Sequence, residues 1–376
     1  MTSCILPAIL SIEPLKRITP SQFSAFNECK LKAILQSNRT DALLPIHPSA
    51  HLGTAIHKIF EKSSGGGITG DDDFKLAWAN YVQEEEAKMN LSWMEKHFVP
   101  LERSVQNYEV KKQQCLLSVR NMILPQLSHS EVKGESHTRK SEEVWLQTPD
   151  GKAGGYADAI ISTDFGDVIV DYKTGSIIES GHDSSEPDVH ENIQLQLKLY
   201  AALYNSMYAK WPVSLRVIGM DGESYEIQFD EDECSSLLGE ACQILAEINS
   251  IIMNNAESYD MMLKRLASPS PQICRFCSYR PGCLPYWEQR EVEQEIDWPY
   301  DVKGIVVDKK RLGNGLILIT IMPDGQSNVV KVRGLHPNRH PVLNNSYDKV
   351  SIYSMIADNV SDNYKEGLFT TIYSMS

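Results

Sequence analysis

No apolar run in the 376 residues reaches the roughly twenty that a membrane-spanning helix requires. The N-terminal segment CILPAILSI is apolar but short. It has no basic flank before it and no small-residue cleavage site after it, so neither a span nor a secretory leader is expected. Excess positive charge is also missing: 36 Lys and Arg stand against 50 Asp and Glu, a formal net charge of −14. That balance excludes indiscriminate polyanion binding. Any nucleic-acid contact must come from a local basic groove, with Lys30, Lys32, Arg39, Arg275 and Arg280 as candidates. There is no G-x-x-x-x-G-K-[ST] phosphate loop, hence no recognisable motor. Eight cysteines in so long a chain, without a leader, do not suggest a disulfide framework. What these absences leave is a soluble, cytoplasmic protein with room for two or three domains.

What is present is concentrated in residues 154–175, GGYADAIISTDFGDVIVDYKTG. Two β-rich runs flank Asp164-Phe165-Gly166, which predicts a β-hairpin. Antiparallel pairing brings the start of the first strand beside the end of the second, so Asp158 can meet Asp171 and Lys173 at one corner. Alternation puts Asp171 and Lys173 on one face. Carboxylate oxygens suit Mg²⁺ or Mn²⁺, and an adjacent lysine can orient or deprotonate a water, or neutralise charge on a phosphoryl group. A solvated Asp–Lys pair at a hairpin end is the bland alternative. The second Asp, the glycine pair and the apolar strand favour the catalytic reading.

Further landmarks flank the hairpin. Cys29 lies in SQFSAFNECK, within a helix expected to start at Thr19-Pro20. A helix over 52–61 carries Gly53 and His57. After a Gly/Ser loop ending in three Asp, helices are expected over 74–98 and 103–124. Glu142, Glu143 and Trp145 lie on a strand leading into the hairpin, and either Glu could lie near a metal or on a solvated edge. Residues 176–192 form a polar loop. From Ile193 an amphipathic helix presents Leu195, Leu199, Leu203 and Tyr204 to the core, with Gln196 and Tyr200 together on one face. Strands over 213–218 and 225–229 flank a turn at Asp221-Gly222, and a helix over 233–253 follows with Cys234 and Cys242 as packed thiols. Cys274-x-x-Cys277 and Cys283 present thiolates to one centre, and their number does not separate zinc from iron–sulfur. Beyond an acidic linker, five short strands suggest a small barrel, OB-like, with Tyr353 and Tyr364 its few exposed aromatics.

The ordered set of Cys29, GTAIH, GGYAD, VDYKTG, QLKLY and the Cys274–Cys283 cluster resembles the RecB-type branch of the PD-(D/E)XK nuclease superfamily. Within that branch it is similar to the iron–sulfur subgroup that includes AddB and CRISPR-associated exonucleases. The resemblance implies an α/β restriction-endonuclease-like core, a mixed sheet flanked by helices, over 1–290, with a helical insertion near 74–125. A linker over 291–300 and an OB-like all-β domain over 301–376 would follow. It further implies Mg²⁺ or Mn²⁺ held by Asp158, Asp171, the Tyr172 carbonyl and His57, with Lys173, Gln196 and Tyr200 completing the catalytic set. Cys29, Cys274, Cys277 and Cys283 would hold a 4Fe–4S cluster; the family usually has Pro where Lys30 follows Cys29 here. The implied activity is metal-dependent deoxyribonuclease, an exonuclease on single strands or DNA ends, in repair or antiviral defence, with a separately encoded helicase or ATPase as partner. A catalytically silent DNA-binding or scaffold subunit and an RNA nuclease are the alternatives.

Overall fold

The structure, a computed structural model, describes every residue except 1–4, 7–9, 129–138, 179–187, 220–221, 255, 294–296, 346, 360–362 and 376. Most of the expected 176–192 loop and part of the Asp221-Gly222 turn therefore lie outside the described residues, as does the side chain of Glu142.

The expected first helix is two. After a single 3-10 turn at Pro20–Gln22, α1 (Phe23–Glu28) stops at Cys29, whose backbone is extended at φ −159° and ψ 106°, and α2 (Lys30–Ser37) begins directly after it. Next come α3 (Pro48–Ser64), α4 (Asp71–Leu91), the short α5 (Leu101–Ser104) and α6 (Tyr108–Ser128). Helix α3 starts four residues earlier than expected because Pro48 occupies its first turn and the ring of His47 caps Ser49 N–H. The three Asp fill the first turn of α4, where the helix dipole favours them.

The predicted hairpin forms as β2 (Gly154–Thr163) and β3 (Gly166–Lys173), preceded by β1 (Arg139–Gln147). Gly166, at φ +133°, makes a turn that a residue with a Cβ rarely adopts. Helix α7 (Glu191–Tyr208) then crosses over to β4 (Ser214–Gly219) and β5 (Ser224–Ile227). The sheet runs in sequence order from β1 to β5; β3 and β4 are parallel and the other pairs antiparallel. The sheet core joins Ile160, Ile169, Leu215 and Val217 to Leu197, Tyr200 and Tyr204 of α7. The buried side of α7 is broader than periodicity suggested: Leu197, Gln196 and Tyr200 are buried, whereas Leu195 is only partly so.

A second group of helices, α8 (Glu231–Ile252), α9 (Tyr259–Leu266), α10 (Pro271–Arg275) and α11 (Leu284–Val292), packs with α1 and α2 around the cysteines. The stretch expected to be an acidic linker begins as the end of α11, and its Trp298 is buried against Tyr286.

The C-terminal strands are β6 (Val302–Arg311), β7 (Ile317–Pro323), β8 (Val330–Leu335), β9 (Lys349–Tyr353), β10 (Ile356–Ala357), β11 (Asn363–Lys365) and β12 (Thr371–Met375). They form one curled sheet in the order β10-β11-β8-β7-β6-β9-β12, with two strands more than expected. Burial alternates along β7, as a strand with one core face requires. Tyr353 is fully buried, so it is not the exposed aromatic the sequence suggested. It packs with Trp287 and Tyr373 in the same core as the cysteines.

Candidate active site at the hairpin corner

Residue spacing alone put Asp158, Asp171 and Lys173 at one corner, and the hydrogen bonds show how they are held. The β2–β3 register ends at Ala159 opposite Val170, so one further step sets Asp158 opposite Asp171. There the strands stop pairing, and Asp158 Oδ2 accepts the Tyr172 N–H at 2.8 Å. Lys173 Nζ lies 2.9 Å from Asp171 Oδ2. Gln196 joins the two: its amide nitrogen donates to Asp171 Oδ1 at 2.7 Å and its oxygen accepts from Lys173 Nζ at 2.8 Å. One turn later Tyr200 donates to the Tyr156 carbonyl at 2.6 Å, tying α7 to β2 beside the acids.

Asp171 is 3% exposed. Burial pushes its carboxyl up to about 6, with the Lys173 charge opposing and the Asp158 charge adding. Its Oδ2 touches Lys173 but has no aligned hydrogen-bond donor.

Helix α3 brings the remaining groups. A Cβ at Gly53 would lie 3.3 Å from the Thr174 hydroxyl, so the glycine lets α3 approach the end of β3 closely. Four residues on, His57 Nε2 is 3.6 Å from Asp158 Oδ1, a contact that raises the imidazole pKa even though burial opposes it. Another turn on is Glu61, which the sequence reading passed over; its i, i+4 spacing from His57 was the available signal. Burial raises the Glu61 pKa first, then a hydrogen bond with Glu143 and that group's charge. Glu143 was one of two candidates at its position, and pairing on either side, Glu142 with Ala159 and Val144 with Ala157, sets it opposite Asp158. Its φ of +47° is uncommon for a residue with a Cβ and interrupts the ladder at that point.

Among the described residues, no three His, Cys, Asp or Glu side chains are drawn together tightly enough to hold a metal ion. The corner therefore offers a pair of carboxylates, Asp158 and Asp171, with His57, Glu61 and Glu143 around it. Of the basic residues considered for a groove, Lys30 pairs with Glu247, Lys32 with Glu28 and Arg275 with Asp297. Arg280 is buried, so it cannot serve on a surface.

The cysteines gather elsewhere. Cys29 at the α1–α2 break and Cys274, Cys277 and Cys283 around α10 line one cavity. They are free thiols, and burial pushes Cys274 up to about 12 and raises Cys277 and Cys283. Arg280 braces this loop. Its guanidinium donates to the carbonyls of Cys274, Arg275 and Cys277, and it pairs with the fully buried Asp301 at 2.7 Å. Asp301 also accepts from Tyr286 at 2.8 Å and from Ser354 N–H at 2.7 Å, which links the cysteine loop to the C-terminal sheet.

A family model described as the PD-(D/E)XK nuclease superfamily matches residues 17–284, from just before α1 through the last of the four cavity cysteines. None of the curated proteins matches the chain. A solved structure described as "Crystal structure of SSO0001" is 18% identical over 53% of this chain and 95% of its own, with a TM-score of 0.20. The family match spans most of the chain and includes every hairpin and helix residue of the corner; the chain belongs to the PD-(D/E)XK nuclease superfamily.

Proposed function

We propose that the chain is a divalent-metal-dependent deoxyribonuclease that cuts phosphodiester bonds at the Asp158–Asp171–Lys173 corner. The observation that carries this reading is the Gln196 bridge, which fixes a buried carboxylate and an ammonium group side by side. Mg²⁺ needs only one or two protein carboxylates and takes its other ligands from substrate phosphate and water, so Asp158 and Asp171 fit it without a third acid. His57 and the Tyr172 carbonyl are the further candidate ligands. Such an ion, when bound, supplies Lewis acidity toward the phosphoryl oxygen.

The protein's own groups do the rest. Lys173, held by Gln196 and Asp171, is positioned to orient an attacking water and to offset charge growing on the phosphoryl oxygens. Gln196 keeps the ammonium from collapsing wholly onto Asp171 by accepting a hydrogen bond from one of its N–H groups. Tyr200 fixes the β2 backbone through the Tyr156 carbonyl. Glu61 and Glu143 meet at the edge of the corner.

The cavity brings together Cys29, Cys274, Cys277 and Cys283, and four thiolates are the number that would hold a 4Fe–4S cluster. The assignment to the RecB-type, iron–sulfur branch rests on this set. A domain boundary near residues 291–300 and an OB-like barrel after it are supported by the parallel pairing of β8 with β11. The two-residue bend between β9 and β10, where Ser354 takes φ +56°, supports the same reading. Single strands or DNA ends as substrate, and a helicase or ATPase as partner, belong to the same proposal. The test is digestion of end-labelled single- and double-stranded DNA, with RNA alongside, by anaerobically purified protein in Mg²⁺ or Mn²⁺ and in EDTA. Cleavage that needs the metal and is lost in Asp171→Ala supports the reading; cleavage indifferent to EDTA, or none, removes it.

A further inference from the structure

One surface feature beside the corner has no role in holding it together. Trp145 and Tyr156 are paired across β1 and β2, their ring centroids 4.8 Å apart at 63°. Tyr156 remains 59% exposed. A cross-strand aromatic pair serving stability alone gains most when both rings are covered, and here one is left to solvent. The guanidinium of Arg17 lies 4.8 Å from the Trp145 ring centre.

The register sets this group next to the chemistry. Tyr156 precedes Asp158 by two residues on β2 and pairs with Trp145 of β1, so these three side chains lie on one face of the β1–β2 ladder. The step from Tyr156 to Asp158 is about 7 Å, comparable to one nucleotide of an extended strand. The platform is also well anchored. Ile18 N–H bonds the Lys152 carbonyl at 3.0 Å and Gly154 N–H bonds the Ile18 carbonyl at 3.1 Å, which seats the Arg17 segment against β2. The Trp145 indole N–H donates to Gln147 Oε1 at 3.0 Å, and Tyr200 holds the Tyr156 backbone.

We propose that Tyr156, backed by Trp145 and Arg17, is a stacking platform for the nucleobase adjacent to the scissile phosphate of single-stranded DNA. An exposed aromatic face takes any base, and the Arg17 cation beside it suits the neighbouring phosphate. A base still paired and stacked in a duplex has no free face to offer, so the platform selects single strands next to the cut. This rests on the nuclease reading above, and the experiment separates the two.

The full-length protein is given thymidine oligonucleotides carrying a single abasic site at successive positions, and cleavage is compared for wild type, Tyr156→Ala and Tyr156→Phe. In EDTA, quenching of a 2-aminopurine base reports stacking without cleavage. Tyr156→Ala is expected to raise KM about ten- to a hundred-fold on intact strands while kcat holds, and Tyr156→Phe to stay near wild type. One abasic position should bring wild type down to the level of Tyr156→Ala and leave that variant unchanged. A Tyr156→Ala enzyme equal to wild type, or one whose deficit persists at every abasic position, overturns the platform. Stacking that Tyr156→Ala abolishes in a protein that cuts nothing leaves the platform standing and removes the nuclease reading instead.

Discussion

The acid corner and the cysteine corner are built on opposite plans. The first is charged, partly open to solvent, and made mostly by one hairpin, so its key groups are close in sequence: Asp158, Asp171 and Lys173. The second is buried and long-range, joining Cys29 to cysteines some 250 residues later and, through Arg280 and Asp301, to the C-terminal sheet. The difference teaches where each can be damaged. Charge placed in the open corner can be removed with little loss of packing, whereas the buried corner has no spare contacts. Its tie to the C-terminal sheet also argues against treating residues 299–376 as a detachable module: their removal would uncover Tyr286 and strand Arg280 without Asp301.

The sharpest contrast should come from Lys173→Ala. Cleavage should fall by about 10²–10³-fold or more while DNA affinity stays near wild type. A variant that still cuts normally would take the open corner out of the mechanism. In the buried corner, Arg280→Met leaves the Asp301 carboxylate unpaired. It should cost about 3–5 kcal/mol in denaturant unfolding, and the double variant Arg280→Met/Asp301→Leu should recover much of that. If the single variant loses nothing, the link between cysteine loop and sheet is not a support.

A smaller effect, of the opposite sign, should appear at Asp171. Its folded pKa, raised by burial to about 6, means that the protonated form contributes stability below the unfolded value near 4 and that this contribution is lost as pH rises through about 6. In metal-free protein at pH 8, Asp171→Asn should therefore be more stable than wild type by roughly 2 kcal/mol, the two converging below pH 4. Urea titrations across that range in EDTA decide it, and a variant less stable at pH 8 would mean that the Lys173 contact outweighs burial. Smaller still, Glu61→Gln should lower cleavage only several-fold, since it borders the acids through Glu143 rather than lying between them. A loss as large as that of Lys173→Ala would make it a full member of the corner.

Much of the corner was legible because a hairpin's register follows from its turn. Once Asp164, Phe165 and Gly166 are placed in the loop, the proximity of Asp158 to Asp171 follows. The i, i+4 spacing of Gln196 and Tyr200 placed them together but not inward; read without partners they were a polar stripe, and it is the Asp171 and Tyr156 contacts that bury them. The expected surface groove loses Arg280 for a related reason. Arg280 looks like any exposed arginine until Asp301, Tyr286 and the cysteine-loop carbonyls close around it. Tyr353 likewise appeared available until Trp287 and Tyr373 covered it.

What the sequence by itself determined is therefore local: the strands, the turn at Gly166, the alternation that pairs Asp171 with Lys173, and the helix bearing His57. Only the tertiary structure decided that Glu143 turns into left-handed backbone opposite Asp158, that Cys29 sits at a helix break rather than within a helix, and that Tyr156 stays uncovered. Periodicity fixes which side of its own strand or helix a residue occupies. Burial and partner choice depend on whatever distant segment arrives on that side, and no local pattern specifies it.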